Sequence, residues 1–131
     1  MERTWLATMD VLEEVQQFVL ENAKGLPPKR MAHLELAIEE IIVNICTYAY
    51  ETPPGAFTVR VTDDAAGLTV EFEDKGIPFN PLSLEEPDVN RPLQEREKGG
   101  LGILLVRRIM DEVYYKRDNG LNRLGVVVKK E

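Results

Sequence analysis

Three short groups of residues carry side chains and backbone geometry from which a chemical site could be built. The first is Glu40-x-x-x-Asn44, within LELAIEEIIVNICTYAYE at residues 34–51. On a helix, positions four apart stand one above the other, so a carboxylate and a carboxamide share one line. Such oxygen donors suit a hard divalent cation bound together with phosphate. A carboxylate beside them can take a proton from a hydroxyl or a water. The second group is Asp74-Lys75-Gly76, in EFEDKGIPFNP, where a strand pattern ends. A carboxylate there accepts hydrogen bonds in fixed directions, as the exocyclic amine of adenine requires, and Gly76 keeps the space beside it open. The third is KGGLGILLV, residues 98–106. Its glycines let the backbone approach a ligand closely, and the helix that follows presents free N–H groups and a positive dipole end, a place for polyphosphate. Lys98 adds a point charge for a terminal phosphate. Each group alone is also an ordinary solvated helix face, strand-end turn or tight turn. Their occurrence together and in this order points to a nucleotide.

These groups need elements to position them. Met31, Leu34, Ile38, Ile41, Ile42, Ile45 and Ala49 recur on one side of a helix over roughly residues 28–51, leaving Glu40 and Asn44 on about the opposite side. Pro27-Pro28 opens that helix, and Pro53, Pro54 and Gly55 end it. A preceding helix is expected from about Met9 to Lys24, on the spacing of Met9, Leu12, Val15, Val19 and Leu20, with Thr8 as N-cap and Gly25 and Pro27 as stop signals. Residues 2–7 have room for a short extended piece. The period then falls to two: Phe57, Val59 and Val61, then Leu68, Val70 and Phe72, predict an antiparallel hairpin with one face against helices. Residues 77–98, with Pro78, Pro81, Pro87 and Pro92, sustain no period and read as a long functional loop. LGILLVRRIMDEV predicts a third helix that packs through Ile103, Leu104, Val106, Ile109 and Met110. Strands follow at residues 113–117 and 124–129, around the hairpin signal Asp118-Asn119-Gly120. The order describes one α+β domain over residues 1–131, a two-layer sandwich with helices on one face of a mainly antiparallel sheet.

Composition narrows the classes. Hydrophobic residues make up 44% and charged residues 30%, ordinary for a soluble globular chain. No run approaches the ~20 apolar residues of a membrane span. Acids in MERTWLATMDVLEEV stand where a signal peptide would be apolar, which reads as a cytoplasmic protein. Cys46 has no second cysteine to pair with and reads as a packed thiol in a reducing compartment, and there is no zinc-type cluster. A formal charge of −7 argues against general affinity for nucleic acid or an anionic membrane. Arg107, Arg108, Lys116 and Arg117 could form a basic patch, but read first as a solvated helix face and strand end. His33 reads as a surface histidine.

Helix E-x-x-x-N, then D-x-G, then a glycine box before a helix resemble the N, G1 and G2 boxes of the histidine-kinase-like ATPases, the GHKL family with the Bergerat fold. Within that family the chain most resembles the small anti-sigma factor serine/threonine protein kinases typified by bacterial RsbW and SpoIIAB. The likeness covers nearly the whole chain and is carried by EEIIVNICTYAYE, EDKGIPFNP, KGGLGILLVRRIMDEVYY and NRLGVVVKK. The resemblance implies ATP and Mg²⁺ as cofactors. Glu40 matches the general base, Asn44 the Mg²⁺ ligand, and Asp74 the adenine-binding carboxylate with Gly76 beside it. The phosphate-binding stretch falls on Lys98, Gly99, Gly100, Leu101 and Gly102, with Gly100 and Gly102 as the cradling glycines and residues 77–98 as the ATP lid. It further implies transfer of the γ-phosphoryl group to a Ser or Thr of a STAS-type anti-sigma factor antagonist, with a sigma factor as a possible second partner and homodimerisation. A nucleotide-gated module that sequesters a partner without phosphoryl transfer would use nearly the same residues. A third alternative is an α+β scaffold that binds no nucleotide. Two departures stand out. Tyr48 occupies the turn after Asn44 where members often carry His or Lys, and DKGIPF replaces the DxGxG of full histidine kinases, which favours the anti-sigma branch. His33 lies inside the nucleotide-binding helix, so no separate phospho-accepting histidine helix is present and the chain is not a complete sensor kinase.

Overall fold

The computed structural model describes residues 1–23, 25–48, 55–78 and 100–129. Five strands form one sheet: β1 (Glu2–Leu6), β2 (Ala56–Asp63), β3 (Gly67–Asp74), β4 (Glu112–Asp118) and β5 (Leu121–Lys129), in the order β1-β2-β3-β5-β4. Every neighbouring pair is antiparallel. Three helices, α1 (Leu12–Glu21), α2 (Pro28–Tyr48) and α3 (Gly100–Ile109), supply the second layer. The α+β sandwich expected from the order of elements is therefore present, with one strand more than the hydrophobic pattern predicts.

The alternation of strand side chains explains the layering. Phe57, Val59 and Val61, with Leu68, Val70 and Phe72 and with Leu124, Val126 and Val128, all point to one face and are buried. They meet Val15 and Val19 of α1, Leu34, Ile38, Ile41 and Ile42 of α2 and Val106 of α3 in a single apolar cluster. Each such side chain contributes about 1.5–3 kcal/mol relative to staying exposed. Trp5 closes the β1 edge, edge-on to Phe18 at 5.5 Å and stacked on Phe57 at 6.0 Å. Cys46 packs against the same cluster, and burial, then the charge of Asp10, pushes its thiol pKa up. Among the described residues no helix is long and apolar enough to cross a membrane.

The opposite face is polar. Arg60 reaches Glu2, Glu71 and Glu73, and Arg123 bonds Glu73 at 2.9 Å. Pairs this open to water are screened and add little to stability. Tyr114 lies across Gly125, where a Cβ would overlap its ring. Its hydroxyl donates to Glu71 at 2.8 Å, and burial, then that bond, pushes the phenol up to about 12.

Several element ends differ from the expected ones. Residues 9–11 form a 3₁₀ turn and the α-helix begins at Leu12; Thr8 is extended, but its side chain makes no capping bond. The helix stops at Glu21 because Asn22 turns its amide back onto the Phe18 carbonyl at 2.8 Å. The third helix ends at Ile109, not Val113. Asp111 N–H donates to Val127 O at 3.0 Å, so sheet pairing claims the chain where helix was expected. The β4–β5 turn is as the sequence predicts: Asn119 (φ 52°) and Gly120 (φ 76°) both have positive φ, the two-residue type I′ geometry.

Asp111 also ties three elements together. Its carboxylate accepts from the Lys129 amide at 2.6 Å and from Arg30 in the first turn of α2. Burial works to raise its pKa, but the Lys129 amide and Arg30 outweigh it and hold the carboxyl below its ordinary value. A folded pKa lowered in this way stabilises the fold above the unfolded carboxylate pKa, and that contribution is lost as pH falls through the lower folded value. Asp111→Asn is therefore expected to cost about 1 kcal/mol at pH 7, allowing for solvent screening, and almost nothing in strong acid. Urea unfolding of both proteins across that range would show it. An equal deficit at all pH values would remove the charge from the explanation.

Candidate functional site

Asp74 is the last residue of β3 and shares the helix-facing side with Leu68, Val70 and Phe72. It is only 7% exposed. Its Oδ1 accepts from the Gly76 N–H at 2.9 Å and from Asn122 Nδ2 at 2.9 Å. Asn122 is its cross-strand partner in β5 and is equally buried. The same Nδ2 donates to the Ile77 carbonyl at 2.8 Å, and the Tyr115 hydroxyl donates to Asn122 Oδ1. Arg117 Nη1 donates to the Gly76 carbonyl at 2.8 Å. The turn from Asp74 to Ile77 is thus held from below by the β4–β5 hairpin. Asn122, Tyr115 and Arg117 carry no mark in the sequence beyond their place around a hairpin turn.

The second corner lies where α2 packs on α3. Glu40 rests against Gly102: a Cβ at that glycine would overlap Glu40 Oε2 and sit 3.1 Å from its Cδ. Gly102 therefore makes room for the carboxylate at the start of α3. Burial first, and the neighbouring Glu39 charge second, push the Glu40 pKa up. One turn further along α2, Asn44 is 5% exposed, and its buried Nδ2 meets no hydrogen-bond partner among the described residues. A buried amide N–H without an acceptor costs about 1–3 kcal/mol, so a water, an ion or a ligand atom is expected to meet it. Of the pair expected on a face opposite the apolar stripe, pointing outward, Asn44 is instead buried and Glu40 is half-buried. The reason is that α2 is covered on two sides, by the sheet and by α3, so its polar line is a second interface rather than a solvated face. His33, read from the sequence as a surface residue, is half-buried on α2, and its Nδ1 also meets no partner among the described residues.

The structure therefore joins Glu40 to Gly102 and Asp74 to Gly76, and sets Asn44 beside Glu40 on α2. Gly100 and Leu101 open α3, so a helix N-terminus lies where the glycine box predicts one. Lys98 and Gly99 lie outside the described residues, as does the expected lid apart from Ile77 and Pro78. Among the described residues no three His, Cys, Asp or Glu side chains converge as a metal-binding group. Arg107, Arg108, Lys116 and Arg117 are exposed at the end of α3 and along β4.

The chain as a whole is similar to known proteins in sequence and in fold. A model of the histidine kinase-like ATPase domain matches residues 6–128. Serine-protein kinase RsbW of Bacillus mycoides is 28% identical over 107 residues, which are 79% of this chain and 67% of that protein. Serine/threonine-protein kinase BtrW of Bordetella bronchiseptica is 29% identical over 93 residues, 70% of this chain and 65% of the relative. Among solved structures, the RsbU and RsbW domains of a Mycobacterium tuberculosis protein superpose with a TM-score of 0.64 at 14% identity. That match covers the whole of this chain but only 33% of the other. Histidine kinase AdeS of Acinetobacter baumannii superposes with a TM-score of 0.55 at 13% identity, over 97% of this chain and 67% of its own. These last two share the fold. With the family model spanning nearly the full sequence, the chain belongs to the histidine kinase-like ATPase domain family.

Proposed function

We propose that this chain binds Mg²⁺-ATP and transfers the γ-phosphoryl group to a Ser or Thr of a STAS-type anti-sigma factor antagonist. The observation that carries the reading is the buried Asn44 Nδ2, without a partner among the described residues, one turn from a half-buried Glu40 that packs on Gly102. Asn44 fits a Mg²⁺-phosphate group. Its N–H could meet a phosphate oxygen, and with the amide turned over its Oδ1 would be the oxygen this chain offers to the cation. When bound, the ion supplies charge neutralisation on the phosphates.

The chain's own groups have the following roles. Asp74 accepts a hydrogen bond from the adenine amine, and Gly76 leaves room for the ring. The backbone from Gly99 to Gly102 and the N-terminus of α3 hold the phosphates, and Lys98 adds positive charge near the γ-phosphate. Glu40 takes the proton of the acceptor hydroxyl as its oxygen bonds to the γ-phosphorus; the bond to the β,γ-bridging oxygen breaks and ADP leaves. A sigma factor is the second partner in this scheme, and the working unit is a homodimer. Similarity to the RsbW and BtrW kinases supports the transfer reaction, and the raised pKa of Glu40 suits a proton acceptor.

The test is calorimetric titration with Mg²⁺-ATP, followed by incubation of radiolabelled ATP with several STAS proteins. Saturable binding and label on one acceptor are expected. Binding with no label on any of them would replace transfer by nucleotide-gated sequestration of a partner, and no binding would end the nucleotide reading altogether.

A further inference from the structure

The β4–β5 hairpin puts a fully engaged amide behind the proposed base-reading carboxylate. We infer that Asn122, backed by Tyr115, is a positioning residue that makes Asp74 select purines bearing a 6-amino group. The inference rests on the ATP-binding reading above and adds to it which residues set base preference.

Asn122 has two amide hydrogens, and both are in use, one on Asp74 Oδ1 (2.9 Å) and one on the Ile77 carbonyl (2.8 Å). Its own oxygen accepts from the Tyr115 hydroxyl. A flipped amide would bring Oδ1 against two acceptors, so only one orientation satisfies the site. The residue is 6% exposed and stands opposite Asp74 in the strand register, so water cannot substitute for it easily. With the Gly76 N–H and Asn122 both on Oδ1, the Asp74 carboxylate cannot rotate without breaking two bonds. Its other oxygen is thereby held in one direction as an acceptor. A 6-amino group meets it as a donor, whereas a 6-oxo group meets it lone pair to lone pair. Asn122 has no hydrogen left with which to accommodate the oxo group. Without Asn122, the Gly76 N–H is the one remaining restraint on the carboxylate among the described residues, and the direction of acceptance loosens.

The experiment compares Mg²⁺-ADP with purine riboside 5′-diphosphate, in which hydrogen replaces the 6-amine, by calorimetry on the full chain. The wild type should bind ADP about tenfold or more tightly than the analogue. In Asn122→Ala, ADP should lose about tenfold while the analogue changes by less than about threefold, so the ratio collapses towards unity. Tyr115→Phe, which removes only a hydroxyl, should narrow the ratio by about two- to fivefold; it keeps the test open should Asn122→Ala not fold. Equal losses for both ligands in either variant, or an unchanged ratio, would reduce Asn122 to a structural residue and overturn the inference. A wild type that binds ADP with no preference over the analogue would also overturn it, with nucleotide binding itself intact. A wild type that binds neither ligand would remove the ATP reading, and this inference with it.

Discussion

Glu40→Gln should slow phosphoryl transfer by about 10²–10⁴-fold, the usual contribution of a positioned general base. ATP affinity should stay within about threefold, since an interaction used in the transition state is removed and ground-state contacts are kept. The carboxamide has nearly the same shape, so its packing on Gly102 survives, but it cannot take up the hydroxyl proton. Two pH signatures accompany the loss. The wild-type rate should rise with pH through a value above the ordinary carboxylate range, because burial and then Glu39 raise the Glu40 pKa, and the variant's residual rate should show no such step. Stability moves the other way. A folded pKa above the unfolded one means the unfolded state binds fewer protons between the two values, so wild-type stability falls as pH rises through that window. Glu40→Gln should therefore melt at a higher temperature than wild type at neutral pH and not in acid. Initial rates with radiolabelled ATP and paired thermal melts test both; transfer at the wild-type rate would take the base role away from Glu40.

The second large effect is expected at Asp74. Asp74→Asn should weaken ADP by about 10- to 100-fold, the equivalent of one hydrogen bond to a charged acceptor. This substitution is more informative than alanine. An asparagine can keep its oxygen toward Gly76 N–H and Asn122 Nδ2, so the internal network is preserved. Its NH₂ group then replaces the second carboxylate oxygen and opposes the donor of the base. Alanine would instead leave two buried donors without an acceptor and mix unfolding with lost binding. Calorimetry with ADP, alongside a melt to show that the fold is kept, separates these. Undiminished affinity in a folded Asp74→Asn protein would mean that the base is read elsewhere.

Much of this design is readable along the chain because it depends on local spacing. The apolar stripe of α2 from Leu34 to Ile45, the alternation of Phe57, Val59 and Val61 against Leu68, Val70 and Phe72, and the Asn119-Gly120 turn are patterns that neighbouring residues impose on their own backbone. So is the series of three boxes, which led to the family that the comparisons show.

Other features come from partners far away in sequence, and no local period announces them. Residues 2–6 become a strand because β2 pairs with them and Trp5 is buried against Phe18 and Phe57. The end of α3 is decided by Val127, which takes the Asp111 amide into the sheet. Asn44 is buried on a helix that packs against both the sheet and α3, and Asn122 reaches Asp74 only through the β3–β5 register. Spacing along the chain could name the groups that do the chemistry. Which of them are shut away from water, and what holds them still, was decided by the packing of helix on helix and strand on strand, where the contacts span most of the chain.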